Sequence, residues 1–173
     1  MRRKEYLLVD GYNIIHAWGD LKKTAKGSLS DARRDLLDIL ANYRGYKKVE
    51  VLVVFDAHMQ KGYSETHEKY RGIHVVYTKE YQTADSYIER FAAKHADKYR
   101  ITVASSDNLE QVIILSTGAY RLSANELYKE IKRADKEITE KYVQNKPVKN
   151  NMLFDNLDSE TAKWLDEMRY GKD

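Results

Sequence analysis

Apolar residues are distributed along this chain in two patterns. Short runs, each of which stops at a charged or turn residue, are typical of strands that are covered on both faces of a sheet. Between these runs, apolar residues recur every three or four positions, which predicts amphipathic helices. The runs predict strands at residues 6–9, 49–55, 73–77, 101–104 and 119–122.

Polar residues suited to helix capping precede the segments with helical periodicity. Ser30 is predicted to cap a helix that ends at Gly45, and Thr83 is predicted to cap a helix with core positions through His95. Ser123 and Glu126 have the spacing of a capping box, in which each side chain bonds the other residue's backbone N–H. A long helix is therefore predicted to begin at these two residues.

The remaining segments show weaker patterns. The chain is predicted to form a polar loop up to Gly27, and residues 58–72 are predicted to form a mobile polar loop rich in Lys, His and Tyr. A short helix closed by Gly118 is expected after the fourth predicted strand. Pro147 marks a break. We therefore expect a main domain over residues 1–146 and a C-terminal helical extension over residues 147–173 that packs on it.

Strands that alternate with helices predict an α/β fold with a mainly parallel sheet of βαβ units. Strand carboxyl ends and the helix starts that follow them then share one edge, where open α/β sheets bind ligands. Four aspartates map to this edge: Asp10, Asp56, Asp85 and Asp107. Taken alone, each aspartate is explained at least as well by a structural role, in a turn, as a helix cap or as a favourable charge on a helix dipole. Their joint occurrence favours a shared site.

The composition excludes several classes of protein. The 173 residues contain no cysteine, so disulfides, thiolate zinc sites and cysteine nucleophiles are absent, which suits the cytoplasm. The apolar stretch near the amino terminus is cut at Asp10 and is too short for a signal peptide or a membrane span. The formal net charge of +3 permits a polyanionic partner without requiring one.

Convergent carboxylates repel one another unless a cation or protons neutralise them. Mg²⁺ or Mn²⁺ takes oxygen ligands, and a water bound to the metal can attack a phosphodiester. Motifs of other enzymes are missing, because the chain has no glycine-rich dinucleotide fingerprint and no P-loop. A haloacid-dehalogenase-type phosphatase would need the pattern Asp-x-Asp after the first strand, which the run from Asp10 to Asn13 does not have, and the histidines lack zinc-ligand spacing.

The segments LLVDGYNIIHAW, ARRDLL, VVFDAH, YTKEYQTADSYIER, SSDNLEQ and GAYRLSANEL together resemble the YacP-like NYN domain family of PIN-like endoribonucleases. The resemblance spans residues 6–127 and implies a three-layer PIN-like Rossmannoid fold, with residues 1–146 as the NYN domain. It also implies RNA cleavage that depends on Mg²⁺ or Mn²⁺. Some members of this family act on mRNA at the ribosome, so RNA and the ribosome become the expected partners.

The resemblance assigns roles to individual residues. The expected metal ligands and catalytic acids are Asp10, Asp85 and Asp107, with Asp56 as a further acid and Asn13 as a polar group that orients substrate. Supporting roles fall to Ser106 and Glu89. Residues expected to hold RNA, from the resemblance or from their basic and aromatic character, are Tyr12, Arg33, Arg34, Lys61, Lys69, Arg71 and Arg121.

The resulting hypothesis is a cytoplasmic, metal-dependent endoribonuclease that acts on RNA, with mRNA on the ribosome as the expected substrate. Two alternatives remain open. The same fold can serve as an RNA-binding or ribosome-binding module without cleavage, although such a module has no need of convergent carboxylates. A metal-dependent phosphatase for a small molecule would also use this edge, but basic residues in several segments favour a polymer.

Overall fold

The structure, a computed structural model, describes residues 3–57, 64–106 and 114–144. Its strands are β1 (Glu5–Asp10), β2 (Glu50–Phe55), β3 (Thr66–Tyr70), β4 (Ile73–Tyr77), β5 (Arg100–Ser105) and β6 (Tyr120–Ser123). Its long helices are α1 (Gly11–Ala17), α2 (Gly19–Gly27), α3 (Leu29–Lys47), α4 (Ala84–His95) and α5 (Ala124–Gln144). One helical turn at residues 114–116 precedes β6. The alternation of strands and helices confirms the predicted α/β class.

The strands form a six-stranded sheet in the order β3-β4-β2-β1-β5-β6. All neighbours are parallel except β3 and β4, which are antiparallel. Strands β2, β3 and β4 lie on one side of β1, and the chain then crosses to the other side of β1 to form β5 and β6. This reversal places a topological switch point between the carboxyl ends of β1 and β5, where ligands bind in open α/β folds.

Strand β3 corrects the prediction of a mobile loop over residues 58–72. Residues 66–70 pair with β4 in an antiparallel hairpin, and Arg71 and Gly72 make the turn with positive φ values of 44° and 88°. The sequence signal was weak because four of the five β3 residues are exposed and polar. Residues 58–63 lie outside the described part of the chain.

The region around α2 and α3 corrects two further predictions. The expected polar loop before Gly27 is the helix α2, which buries only Leu21 and therefore has little apolar periodicity. Helix α3 is capped by Ser28, whose hydroxyl accepts a hydrogen bond from the backbone N–H of Asp31, and not by Ser30. It also continues past Gly45 to Lys47, and ends where Lys48 takes the left-handed conformation with φ 57°.

Alternating residues of the central strand face two separate cores. Leu7 and Val9 of β1 pack with residues of α1, α2, α3 and α5, whereas Leu8 packs with residues of α4. This gives the predicted three layers, with helices on both faces of the sheet. The strand β1 is paired on both sides, which explains why its sequence is apolar nearly throughout.

The chain divides into two compact units, Met1–Lys136 and Glu137–Asp173. All strands of the described residues lie in the first unit, and only residues 137–144 of the second, the end of α5, are described. The predicted boundary at residue 146 and the predicted helical extension over 147–173 lie outside the described residues and stay predictions. In the described ranges, no helix has both the length and the apolar composition that crossing a membrane requires.

Candidate functional site

Asp10 is the last residue of β1 and caps the helix that follows. Its carboxylate accepts a hydrogen bond of 3.2 Å from the backbone N–H of Asn13, and it is only 8% exposed. The next residue must be glycine, because a Cβ at Gly11 would overlap the ring of Phe55 at the end of β2. The strand-to-helix turn therefore holds the Asp10 carboxylate at the switch point with little conformational freedom.

Asp56 directly follows β2, and its side chain bonds the start of α4. Its carboxylate accepts a short hydrogen bond from the backbone N–H of Ala84, the first residue of α4. Thr83 caps the same helix through a hydrogen bond of 3.1 Å from the backbone N–H of Ser86, as predicted. Asp85 therefore lies in the first turn of a helix whose start is held against Asp56.

Asn13 and Ser106 bridge the switch point. The amide oxygen of Asn13 accepts hydrogen bonds from the backbone N–H of Ser106 at 2.6 Å and from its hydroxyl at 2.7 Å. Ser106 follows β5 directly, and β5 pairs with β1 so that Ala104 lies opposite Val9. The first turn of α1 and the end of β5 are thus joined beside Asp10.

These contacts bring three of the predicted acids to one edge of the sheet: Asp10, Asp56 and the first turn that carries Asp85. The fourth, Asp107, lies outside the described residues. Within residues 3–57, 64–106 and 114–144, no three acidic or histidine side chains are grouped closely enough to hold a metal ion. The donors at the edge are carboxylate oxygens, so their chemistry fits Mg²⁺ or Mn²⁺.

Three aromatic side chains lie in contact beside this edge, on the side of β2. The Tyr12 ring lies 5.0 Å from the Phe55 ring, and Phe55 stacks on Tyr77 at 5.6 Å. Arg33 of α3 donates a hydrogen bond of 2.9 Å to the Tyr12 hydroxyl, so two residues predicted to hold RNA do lie together. Burial raises the pKa of Tyr77, which keeps this phenol neutral.

Other predicted RNA-binding residues are dispersed. Arg34 is exposed and forms an ion pair of 3.0 Å with Asp31 on its own helix. Arg71 pairs with Asp38 of α3 at 2.9 Å, and Asp38 also accepts a hydrogen bond of 2.8 Å from Tyr70. The Arg71 charge is therefore partly neutralised where it stands.

The remaining residues that were predicted to bind RNA or to support the site lie on separate elements of the structure. Lys69 is exposed on β3. Glu89 lies one turn after Asp85 on α4, and Arg121 is exposed on β6. Lys61 lies outside the described residues.

Thr78 is a residue at this edge that the sequence did not single out. It is fully buried after β4, its backbone N–H donates to Phe55 at 3.0 Å, and its hydroxyl accepts from the backbone N–H of Ala57 at 3.1 Å. It thereby fixes the chain on both sides of Asp56. A lone threonine after an apolar run carries no local signal for such a role, because its partners lie 21 or more residues away.

Fold and sequence together define this chain as a PIN-like nuclease domain of the NYN type. It belongs to the YacP-like NYN domain family, whose model matches residues 7–170. The chain is similar to YacP of Bacillus subtilis (strain 168), with 38% identity over 164 residues that cover 92% of this chain and 96% of YacP.

Solved structures agree with this assignment. The crystal structure of Rae1 (YacP) from Bacillus subtilis matches with a TM-score of 0.67 and 38% identity, over 96% of this chain and 95% of that one. A point mutant of Rae1 matches with a TM-score of 0.69 and 33% identity, over 95% of this chain and 99% of that one. These likenesses confirm the resemblance seen in the sequence.

Proposed function

We propose that this protein is a metal-dependent endoribonuclease. The observation that carries the proposal is the connected edge at the switch point, where Asp10, Asp56 and the start of α4 are fixed by hydrogen bonds. Membership of a nuclease family supports the reaction class. Buried or half-buried carboxylates at one edge cost free energy through desolvation and mutual repulsion, and a divalent cation offsets that cost.

Asp10 and Asp85, together with Asp107, are the residues that would hold Mg²⁺ or Mn²⁺. When bound, such a cation supplies charge stabilisation for a phosphodiester and lowers the pKa of water. The described residues do the positioning. Asp10 is oriented by the backbone N–H of Asn13, and Arg33 is held by its bond to Tyr12, whose ring lies against Phe55 at the end of β2.

The test is cleavage of a labelled single-stranded RNA by the purified full chain in Mn²⁺, in Mg²⁺ and in EDTA. We expect cleavage in the metal ions, none in EDTA, and a loss of at least about a hundredfold in Asp10→Asn and Asp85→Asn. Asparagine is as good a helix cap as aspartate, so Asp10→Asn keeps the start of α1. Asp97→Asn, an exposed aspartate beyond the opposite end of α4, is the matched control.

The outcomes separate the hypotheses. RNA binding without cleavage under all metal conditions would favour a non-catalytic RNA-binding module. Cleavage at the wild-type rate by Asp10→Asn or by Asp85→Asn would show that the site is assigned wrongly. Thermal unfolding of each variant is measured in parallel, and Asp10→Asn is compared with Asp85→Asn because only Asp10 caps a helix through its side chain.

We further propose that the ribosome presents the RNA to this enzyme, as the family resemblance implies. The net charge of +3 is small for unaided capture of a polyanion. Because residues 66–70 form β3, deleting them would damage the sheet, and a point substitution is the better test. We expect Lys69→Glu to weaken co-sedimentation with ribosomes relative to Lys94→Glu on α4, and equal co-sedimentation would remove β3 from the contact.

A further inference from the structure

A cleft of about 770 Å³ opens beside Ser106, on the β6 side of the switch point. Its walls come from the junction of α1 with α2, from β6 and from the first turns of α5. The volume falls within the range of small-molecule sites. Because Ser106 also bonds Asn13, the cleft adjoins the edge that carries Asp10.

The cleft has a preformed aromatic wall. Trp18 is only 6% exposed, and its indole N–H donates a hydrogen bond of 2.8 Å to the backbone oxygen of Ala124. The Trp18 ring contacts the ring of Tyr128 edge-on at 5.4 Å. These contacts hold the α1–α2 junction against the start of α5, so the aromatic wall is fixed in place by the fold itself.

The polar groups of the cleft have unused hydrogen-bonding capacity. Among the described residues, the Asp20 carboxylate and the Asn125 amide have no hydrogen-bond or ion-pair partner. Glu126 uses Oε2 to accept from the backbone N–H of Ser123 at 2.7 Å, which leaves Oε1. With Arg121, the lining carries two carboxylates and one guanidinium. This balance disfavours a phosphate and favours a neutral ring with N–H donors.

We propose that this cleft binds a guanine base of the RNA next to the phosphodiester that is cut. The proposal rests on the proposed function. Guanine presents two adjacent N–H donors on its pairing edge, which a carboxylate accepts as a pair, and a carbonyl oxygen that the Asn125 amide is suited to receive. Adenine, cytosine and uracil lack that pair of donors. Asp20 is therefore the residue that selects the base, and Glu126 can accept a single further hydrogen bond through Oε1.

The first experiment measures binding of the four ribonucleoside monophosphates to the full-length Asp10→Asn variant in EDTA. We expect GMP to bind about tenfold more tightly than AMP, CMP or UMP. Gly19 lines the cleft, and a Cβ there meets nothing within 4 Å, so Gly19→Leu adds a bulky side chain at the cleft wall without a clash at Cβ. Gly45→Leu is the matched control, because Gly45 is also helical with open space around its Cβ but lies outside the cleft.

We expect Gly19→Leu to abolish GMP binding and Gly45→Leu to leave it unchanged. Asp20→Asn should reduce the preference for GMP about tenfold. Glu126→Gln should reduce it less, because one carboxylate oxygen of Glu126 is used in the capping box, which glutamine keeps. Equal affinity for all four nucleotides would overturn the proposal. So would GMP binding that Gly19→Leu leaves intact.

Cleavage of RNAs that differ only in the base beside one phosphodiester separates this proposal from the proposed function. Metal-dependent cleavage with a guanine preference that Asp20→Asn removes supports both. Cleavage with no base preference overturns the guanine site alone. GMP binding that Gly19→Leu abolishes, in a protein that cuts no RNA in any metal, supports the guanine site and overturns the proposed nuclease.

Discussion

Asn13 and Ser106 are 93 positions apart in the sequence, yet Ser106 donates two hydrogen bonds to the side-chain oxygen of Asn13. This pairing assigns the orientation of the amide, with its oxygen toward Ser106 and its NH₂ group turned away. It also joins α1 to the end of β5 beyond the last paired residues of β1 and β5, Val9 and Ala104. The two residues therefore fix the distance between the first turn of α1 and the end of β5.

Asn13→Ala removes both hydrogen bonds, and Ser106→Ala removes only the one from the hydroxyl. Since Ser106 is exposed, water replaces part of each bond, and we expect a loss of about 1 kcal/mol in the free energy of unfolding for Asn13→Ala and less for Ser106→Ala. Urea denaturation of both variants and of the double variant measures the coupling. Strictly additive losses would contradict a direct interaction.

Gly11→Ala tests how closely α1 approaches β2. The added Cβ would overlap the Phe55 ring, which is fully buried, so we expect destabilisation of about 1–3 kcal/mol and a displaced Asp10. Gly45→Ala serves as the comparison, because nothing lies within 4 Å of its Cβ and alanine favours a helix. Equal thermal stability of the two variants would be inconsistent with the packing described for Gly11.

Arg33 and Arg34 are neighbours in the sequence with different surroundings. Arg33 is held at Tyr12 beside the candidate site, whereas Arg34 is exposed and paired with Asp31. We expect Arg33→Ala to reduce the slope of log RNA affinity against log salt by about one, and Arg34→Ala to reduce it less. Binding titrations in the Asp10→Asn background, in which we expect no cleavage, at several salt concentrations measure both slopes. A larger effect from Arg34 would place the RNA elsewhere on α3.

The capping box of α5 gives a pH dependence with a definite sign. The hydrogen bond from the backbone N–H of Ser123 holds the pKa of the Glu126 carboxyl below its ordinary value of 4.5. A group with a lowered pKa in the folded state stabilises the fold above its unfolded-state pKa, and this contribution is lost as the pH falls through the folded-state pKa.

We therefore expect any thermal stability advantage of the wild type over Glu126→Gln to be complete above about pH 5 and to shrink below about pH 4. Glutamine retains a neutral version of the cap, so the comparison isolates the charge. Thermal melts of both proteins across this range are the measurement. A difference that grows on acidification would have the wrong sign for this interaction.

Features that depend on neighbours in sequence could be predicted. The capping box of Ser123 and Glu126 needs only a spacing of three residues, and the structure has both of its hydrogen bonds. The position of Asp10 at the carboxyl end of a central strand followed from one apolar run and one Asp-Gly pair. The placement of Asp10, Asp56 and the helix turn that carries Asp85 along one edge followed from the regular alternation of strands and helices.

Features that depend on distant residues could not be predicted. Strand β3 has an exposed, polar sequence, and it is a strand because β4 supplies its hydrogen-bonding partner. Helix α2 has a single buried residue, Leu21, and its packing on α3 is invisible in its own pattern. The contact between Asn13 and Ser106 and the cleft beside it arise only when the sheet is assembled.

The sheet order also has a consequence for how the protein is made. Strand β1 is the first to leave the ribosome, but one of its two partners is β5, which ends at Ser105. Until that segment has been synthesised, one edge of β1 and half of the switch point lack their neighbour. Such pairings between distant segments slow folding and leave an open strand edge during synthesis. The protein therefore completes its candidate site only after β5, which ends at Ser105, has been synthesised.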